Sequence, residues 1–170
     1  LDSAFALVRE VADFPEPGVL FRDLNPLLAD PDAFRAVTDA LADGIPDGVG
    51  TVVALEARGF LFGAALAATR GYGVIPVRKP GKLPTVADQV TYRLEYGTAT
   101  FELPAGVLQP DARVVIIDDV LATGGTIEAA AELVRRAGAT VAAVAVVIEI
   151  AALGGRERLA EHNLRSLLVV

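Results

Sequence analysis

Val114-Val115-Ile116-Ile117-Asp118-Asp119-Val120-Leu121-Ala122-Thr123-Gly124-Gly125-Thr126 passes from an unbroken apolar run, through two acids, into a glycine–threonine turn. Residues 126–137 follow with a helix-forming set rich in Ala, Glu, Leu and Arg. A strand that is apolar on both faces is buried on both, which calls for a parallel sheet covered by helices. In such sheets ligands bind beyond the carboxyl ends of the strands, where this turn falls. Thr123, Gly124, Gly125 and Thr126 can aim backbone N–H groups and hydroxyls at one point, and the unpaired N–H groups opening the next helix make that point an anion site. Asp118 and Asp119 beside it would repel a bare phosphate. They suit the hydroxyls of a sugar whose phosphate occupies the turn. A capping turn beside two surface acids is the plainer alternative. A P-loop is excluded because residue 125 is Gly where Lys is required, and the turn lacks the G-x-G-x-x-G dinucleotide fingerprint.

Outward from this turn the pattern of strand, loop and helix repeats. Strands are expected at 51–55, 72–77, 113–117 and 141–150, with helices at 60–70 and 126–137. Residues 90–96 and 98–103 read as a hairpin around Gly97, 153–160 as a short helix and 167–170 as a last strand. Asp30 followed by Pro31 marks a helix start, with Phe34, Val37 and Leu41 on one face. Residues 3–12 read as a short helix capped by Ser3, and the Phe14-Pro15-Glu16-Pro17-Gly18 stretch ends it. The expected fold is an open, mostly parallel α/β sheet flanked by helices, formed by one domain over residues 1–170.

Composition narrows the chemistry. The 170 residues contain no Cys, Met or Trp and one histidine, His162. That removes disulfides, thiolate metal sites, thiol nucleophiles and a histidine-built zinc site within one chain. Apolar runs are too short to span a membrane and no leader is evident, so the expected compartment is the cytoplasm. The net charge of -7 disfavours a surface that grips nucleic acid. Its distribution is uneven, however. Residues 70–93 hold Arg70, Arg78, Lys79, Lys82 and Arg93 against Asp88, a local positive patch suited to a small, highly charged anion.

Residues 116–126 resemble the phosphoribosyl diphosphate (PRPP) binding signature of type I phosphoribosyltransferases. Gly18-Val19-Leu20-Phe21-Arg22-Asp23, Glu56-Ala57-Arg58-Gly59-Phe60-Leu61-Phe62-Gly63, Val77-Arg78-Lys79-Pro80-Gly81-Lys82-Leu83-Pro84, Leu94-Glu95-Tyr96-Gly97 and Leu153-Gly154-Gly155-Arg156 narrow the resemblance to the adenine-specific branch. It implies the type I fold, with a small amino-terminal hood at about 1–30 and a flexible flap at about 83–100. The implied reaction moves ribose 5-phosphate from PRPP to N9 of adenine, giving AMP and diphosphate in purine salvage. Magnesium is implied too, held mainly by PRPP, diphosphate and water.

By the same resemblance, Ala122, Thr123, Gly124, Gly125 and Thr126 bind the 5′-phosphate and Asp118 and Asp119 face the ribose hydroxyls. Arg58 binds diphosphate from a loop with a cis bond at Glu56–Ala57. Arg78, Lys79 and Lys82 add diphosphate ligands, some reaching a neighbouring subunit, so a homodimer is expected. Glu95 is the implied catalytic carboxylate, with Tyr96 beside it on the flap. Leu20, Phe21, Arg22 and Val120 surround adenine, Phe21 offering a flat face for stacking. A sister enzyme acting on hypoxanthine, guanine or xanthine is the nearest alternative. A nucleic-acid-binding regulator on the same fold is disfavoured by the acidic, single-domain chain. His162, Arg156 and Arg158 receive no functional role.

Overall fold

The computed structural model describes residues 1–93 and 97–170. The chain divides into two compact units, Leu1–Ala40 and Leu41–Val170.

In the first unit a four-residue helix α1 (Asp2–Phe5) precedes β1 (Arg9–Ala12), which pairs antiparallel with β2 (Leu20–Asp23). The single helix expected over 3–12 is therefore wrong beyond its first turn, and Ser3 does not cap it. The cause lies downstream, in the turn that folds the chain back. Asp13 (φ 57°) and Gly18 (φ 88°) take left-handed conformations. The Gly18 N–H donates to Asp13 Oδ1 at 2.7 Å, and the Phe14 N–H donates to the Val19 carbonyl. With the turn closed, β2 supplies ladder partners to Arg9–Ala12, and this pairing outweighs a weak local apolar stripe. Helix α2 (Asn25–Ala29) follows, then α3 (Pro31–Ala42). Asp30 caps α3 as expected, its Oδ1 accepting from the N–H groups of Asp32 (3.1 Å) and Ala33 (2.8 Å).

The second unit runs through β3 (Thr51–Leu55), α4 (Gly59–Arg70), β4 (Gly73–Val77), β5 (Val86–Arg93) and β6 (Thr98–Pro104). It continues with β7 (Arg113–Leu121), α5 (Gly125–Arg136), β8 (Thr140–Glu149), a 3₁₀ turn at Ala151–Leu153, α6 (Gly155–Arg158) and β9 (Leu164–Val169). Five strands form one parallel sheet in the order β4-β3-β7-β8-β9. The chain leaves β3 toward β4 and leaves β7 in the opposite direction, toward β8. Because parallel crossovers are right-handed, α4 and α5 cover opposite faces. A Cβ on Gly63 would meet the Ala54 Cβ at 2.7 Å, so α4 lies directly on the Val52/Ala54 face. Val53, Leu55, Val114 and Ile116 share a core with Ile127, Leu133 and Val134 of α5. Phe101 and Leu103 of β6 join that core, which seats the antiparallel β5/β6 pair against α5.

Four expected boundaries shift, the first being β5, which begins at Val86 instead of 90. β7 continues past Ile117 to Leu121, with Asp118 opposite Val146 and Leu121 opposite Glu149. Apolarity stops at the first carboxylate, whereas the backbone ladder with β8 does not. The helix expected over 153–160 is instead the 3₁₀ turn and the short α6, and β9 begins at Leu164, before its apolar end.

Candidate active site

The crevice between the carboxyl ends of β3 and β7 is the point where the chain's direction across the sheet reverses, the usual place for a ligand. Glu56, Ala57 and Arg58 leave β3 with a cis Glu56–Ala57 bond, as the resemblance implied. Helix α4 then starts hard against β7. A Cβ at Gly59 would lie 2.8 Å from the Ile117 carbonyl oxygen and 3.0 Å from Asp118 Oδ1, so only glycine admits this approach.

Asp118 and Asp119 are 8% and 7% exposed. Asp118 Oδ1 accepts the Asp119 N–H at 2.9 Å. Arg58 Nε stands 2.6 Å from Asp119 Oδ2, which is buried and receives no hydrogen bond among the described residues. The contact is thus an ion pair lying off the hydrogen-bonding line. Burial, reinforced by the Asp119 carboxylate, pushes the Asp118 pKa well above the usual carboxylate range. Two adjacent buried acids are costly for stability alone, and such perturbed groups concentrate where chemistry is done.

A cavity of about 310 Å³ opens here, lined by Arg58, Lys79, Tyr92, Asp118, Asp119 and Thr126 among others. Beyond it a smaller one, about 110 Å³, is enclosed by Val120, Ala122, Thr123, Gly124 and Thr126. Gly124 takes φ 80° at the mouth of α5 and, as the N-cap residue, offers no side chain to cap the first-turn N–H groups. N–H groups left without an N-cap side chain at a helix start are what an anion site requires. A Cβ on Gly124 would come within 3.0 Å of the Gly155 carbonyl oxygen, and Gly155 itself packs on the Ala122 carbonyl. Gly155 is therefore the floor on which this turn rests.

The basic loop after β4 is held by two acids that the sequence reading left without a role. Glu56 Oε2 accepts from the Lys79 N–H (2.8 Å) and from Arg78 Nε (3.3 Å). Burial pushes the Glu56 carboxyl upward, but the Lys79 amide and the Arg78 guanidinium outweigh it and hold the pKa below the usual value. The buried Glu102 takes the Gly81 N–H at 3.3 Å, while its backbone exchanges two hydrogen bonds with Arg78. The Arg78 guanidinium also lies 5.6 Å from the Phe60 ring centre. Lys79 lines the cavity, whereas Arg78, tied to Glu56, and the exposed Lys82 lie outside that lining.

In the first unit, Leu20, Phe21 and Arg22 are consecutive on β2. The Phe21 ring meets Phe14 edge-on, with centres 5.0 Å apart, and Arg22 pairs with Glu10. Glu95 and Tyr96 lie outside the described residues. Tyr92, Glu56, Glu102 and Gly155 are the site-building residues that sequence reasoning missed. Tyr92 had one legible signal, since it alternates in phase with Val90 on the inward face of β5.

A model of the phosphoribosyl transferase domain matches residues 26–165. The chain belongs to the phosphoribosyltransferase family, and its fold is that of the type I enzymes. Within it the chain is 59% identical over 168 residues to the adenine phosphoribosyltransferase of Saccharopolyspora erythraea, covering 99% of this chain and 91% of that one. The Mycolicibacterium smegmatis adenine phosphoribosyltransferase is 58% identical over 165 residues, at coverages of 96% and 91%. The crystal structure of adenine phosphoribosyltransferase from Thermoanaerobacter pseudethanolicus superposes with a TM-score of 0.96 at 42% identity, covering 99% of both chains. The Saccharomyces cerevisiae enzyme, crystallised with adenine and an imino-altritol bisphosphate, gives 0.91 at 36% identity, covering 99% of this chain and 100% of that one.

Proposed function

We propose that the protein is an adenine phosphoribosyltransferase: it transfers ribose 5-phosphate from PRPP to N9 of adenine and releases AMP and diphosphate, a purine-salvage reaction. The observation that carries this reading is the meeting, at one crevice, of the buried Asp118/Asp119 pair, Arg58 and an uncapped phosphate-sized turn. On this reading the amides of residues 122–126 and the Thr123 and Thr126 hydroxyls hold the 5′-phosphate. Asp118 and Asp119 accept from the ribose hydroxyls and stabilise the positive charge that grows on the ring as diphosphate departs. Arg58 and Lys79, on the wall of the same cavity, take charge from the leaving group.

Magnesium fits this donor set. Two carboxylates at the edge of a polyphosphate site suit an ion that keeps its waters and binds chiefly through substrate phosphates. Bound there, it would neutralise charge on the departing diphosphate. Glu95 is assigned the catalytic carboxylate role on the strength of its Leu94-Glu95-Tyr96-Gly97 motif. Glu95→Gln should slow turnover by roughly 10²–10⁴-fold with PRPP affinity retained, and equal turnover in the two proteins would remove Glu95 from the mechanism. Leu20, Phe21 and Arg22 are assigned to adenine on the strength of their Gly18–Asp23 motif, with backbone groups near Leu20 and Arg22 reading its exocyclic amine. A 6-oxo purine, once bound, would leave those groups unpaired.

A homodimer is supported by the exposure of Lys82 beside the tethered Arg78 and Lys79, which leaves a cation available to a neighbouring site. Sedimentation at micromolar concentration should give a dimer, and a fully active monomer would refute it. The function itself is tested by incubating the protein with magnesium, PRPP and each purine in turn. Adenine should yield AMP and diphosphate. Faster turnover of hypoxanthine, guanine or xanthine would overturn the assignment.

A further inference from the structure

Tyr92 stands on β5 in the wall shared by the acid pair and the phosphate turn. Its ring is fixed by Phe101, 1% exposed, with ring centres 5.5 Å apart. Its oxygen lies 3.4 Å from Thr126 Oγ1, the hydroxyl in the first turn of α5. Burial pushes the phenol's pKa up and the Asp118 charge adds to this, against the opposing Thr126 hydrogen bond, so the phenol keeps its proton. In the structure Thr126 donates to Tyr92. A threonine hydroxyl has one proton to give, and a phosphate oxygen in its ionised form only accepts. Thr126 can therefore serve a phosphate only by turning that proton away from Tyr92. Its own lone pairs then face a phenol that still carries a hydrogen.

We propose that Tyr92 is a positioning residue that donates to Thr126 Oγ1 when Thr126 donates to the sugar phosphate, so that the direction of the pair reverses on binding. The inference rests on the reading of residues 122–126 as the 5′-phosphate site and adds to it a partner from outside the signature. The resulting chain, phenol to threonine to phosphate, polarises the threonine donor and strengthens its grip. It also ties the β5/β6 pair to the phosphate turn through a second bond besides core packing.

The test is calorimetric titration of the protein and of Tyr92→Phe, Thr126→Val and the double variant, with ribose 5-phosphate and separately with magnesium diphosphate. Phe retains the ring packed on Phe101, so Tyr92→Phe should fold. It should weaken ribose 5-phosphate by about three- to tenfold, the ordinary net worth of one hydrogen bond, and diphosphate less than about twofold. Thr126→Val should weaken ribose 5-phosphate further, and adding Tyr92→Phe to it should cost nothing more. Unchanged ribose 5-phosphate affinity in Tyr92→Phe, equal loss of both ligands, or additive effects in the double variant would each overturn the proposal. Full ribose 5-phosphate affinity in Thr126→Val would instead bring down the phosphate assignment itself, and the Tyr92 role with it.

Discussion

Asp118 and Phe21 both sit on strands, yet the two strands hold them by different means. β7 is hydrogen-bonded to β3 on one side and β8 on the other, and it is buried from Val114 through Asp119. β2 pairs with β1, whose residues are all exposed, and Leu20 on β2 is itself 45% exposed. At the end of β7 the backbone makes the site, through helix N–H groups, a left-handed glycine and a glycine floor. On β2 whatever recognition occurs must come from side chains and strand-edge groups on a small, lightly covered pair. On the proposed reading, chemistry common to every phosphoribosyl donor belongs on the first, and base selection on the second.

The contrast can be broken at either end. Between these two strands the largest effect is expected on the β7 side, at Arg58, whose Nε lies against Asp119 and whose side chain lines the cavity. On the proposed reading, Arg58→Ala should lower kcat/KM for PRPP by roughly 10²–10³-fold, since it would remove a charge that serves the leaving group and would leave Asp119 without this counter-ion. Steady-state kinetics with varied PRPP checks this, and a loss below tenfold would show that the diphosphate is held elsewhere.

Gly124→Ala comes next. Its φ of 80° and the 3.0 Å approach to the Gly155 carbonyl oxygen leave no room for a methyl group. Ribose 5-phosphate affinity should fall about tenfold and stability by ~1–3 kcal/mol, readable by calorimetry and thermal melting. Phe21→Ala should do the converse, weakening adenine by about five- to tenfold while ribose 5-phosphate binding stays as it was. Equal loss of both ligands in either variant would erase the division of labour.

The smallest expected effect sharpens the picture from the side of stability. Asp118 has a raised pKa in the fold, so the native state binds its proton more tightly than the unfolded chain does. Its contribution is therefore present below the ordinary carboxylate range and lost as pH rises from there through the raised value. Asp118→Asn keeps an acceptor for the Asp119 N–H but abolishes this loss. The melting temperature at neutral pH should rise while PRPP binding weakens, a trade of stability for function. A lower melting temperature would show that the acid pair is structural.

Much of the better-built end was legible in the sequence for a physical reason. A doubly buried strand, a left-handed glycine and an uncapped helix start each demand particular residue types locally, so Val114 to Thr126 announces its own geometry. Thr51–Leu55 and the Asp30 cap were legible on the same grounds. Residues 3–12 were not, because β1 exists by virtue of β2, and pairing across a turn leaves little trace in a local stripe. Glu102 was invisible for a related reason: nothing in Thr98–Pro104 says that this acid is buried to hold the Gly81 amide of a distant loop. Nor could apolarity tell that β7 extends beneath its two acids, which makes them wall residues of a cavity rather than members of a loop.

The most direct test follows the backbone amides of isotopically labelled protein by NMR as ribose 5-phosphate is added. The largest shifts should fall on residues 122–126, with the Asp118 and Asp119 amides moving next and the β2 amides unaffected. Shifts centred on another segment, with the turn before α5 unchanged at saturation, would contradict it.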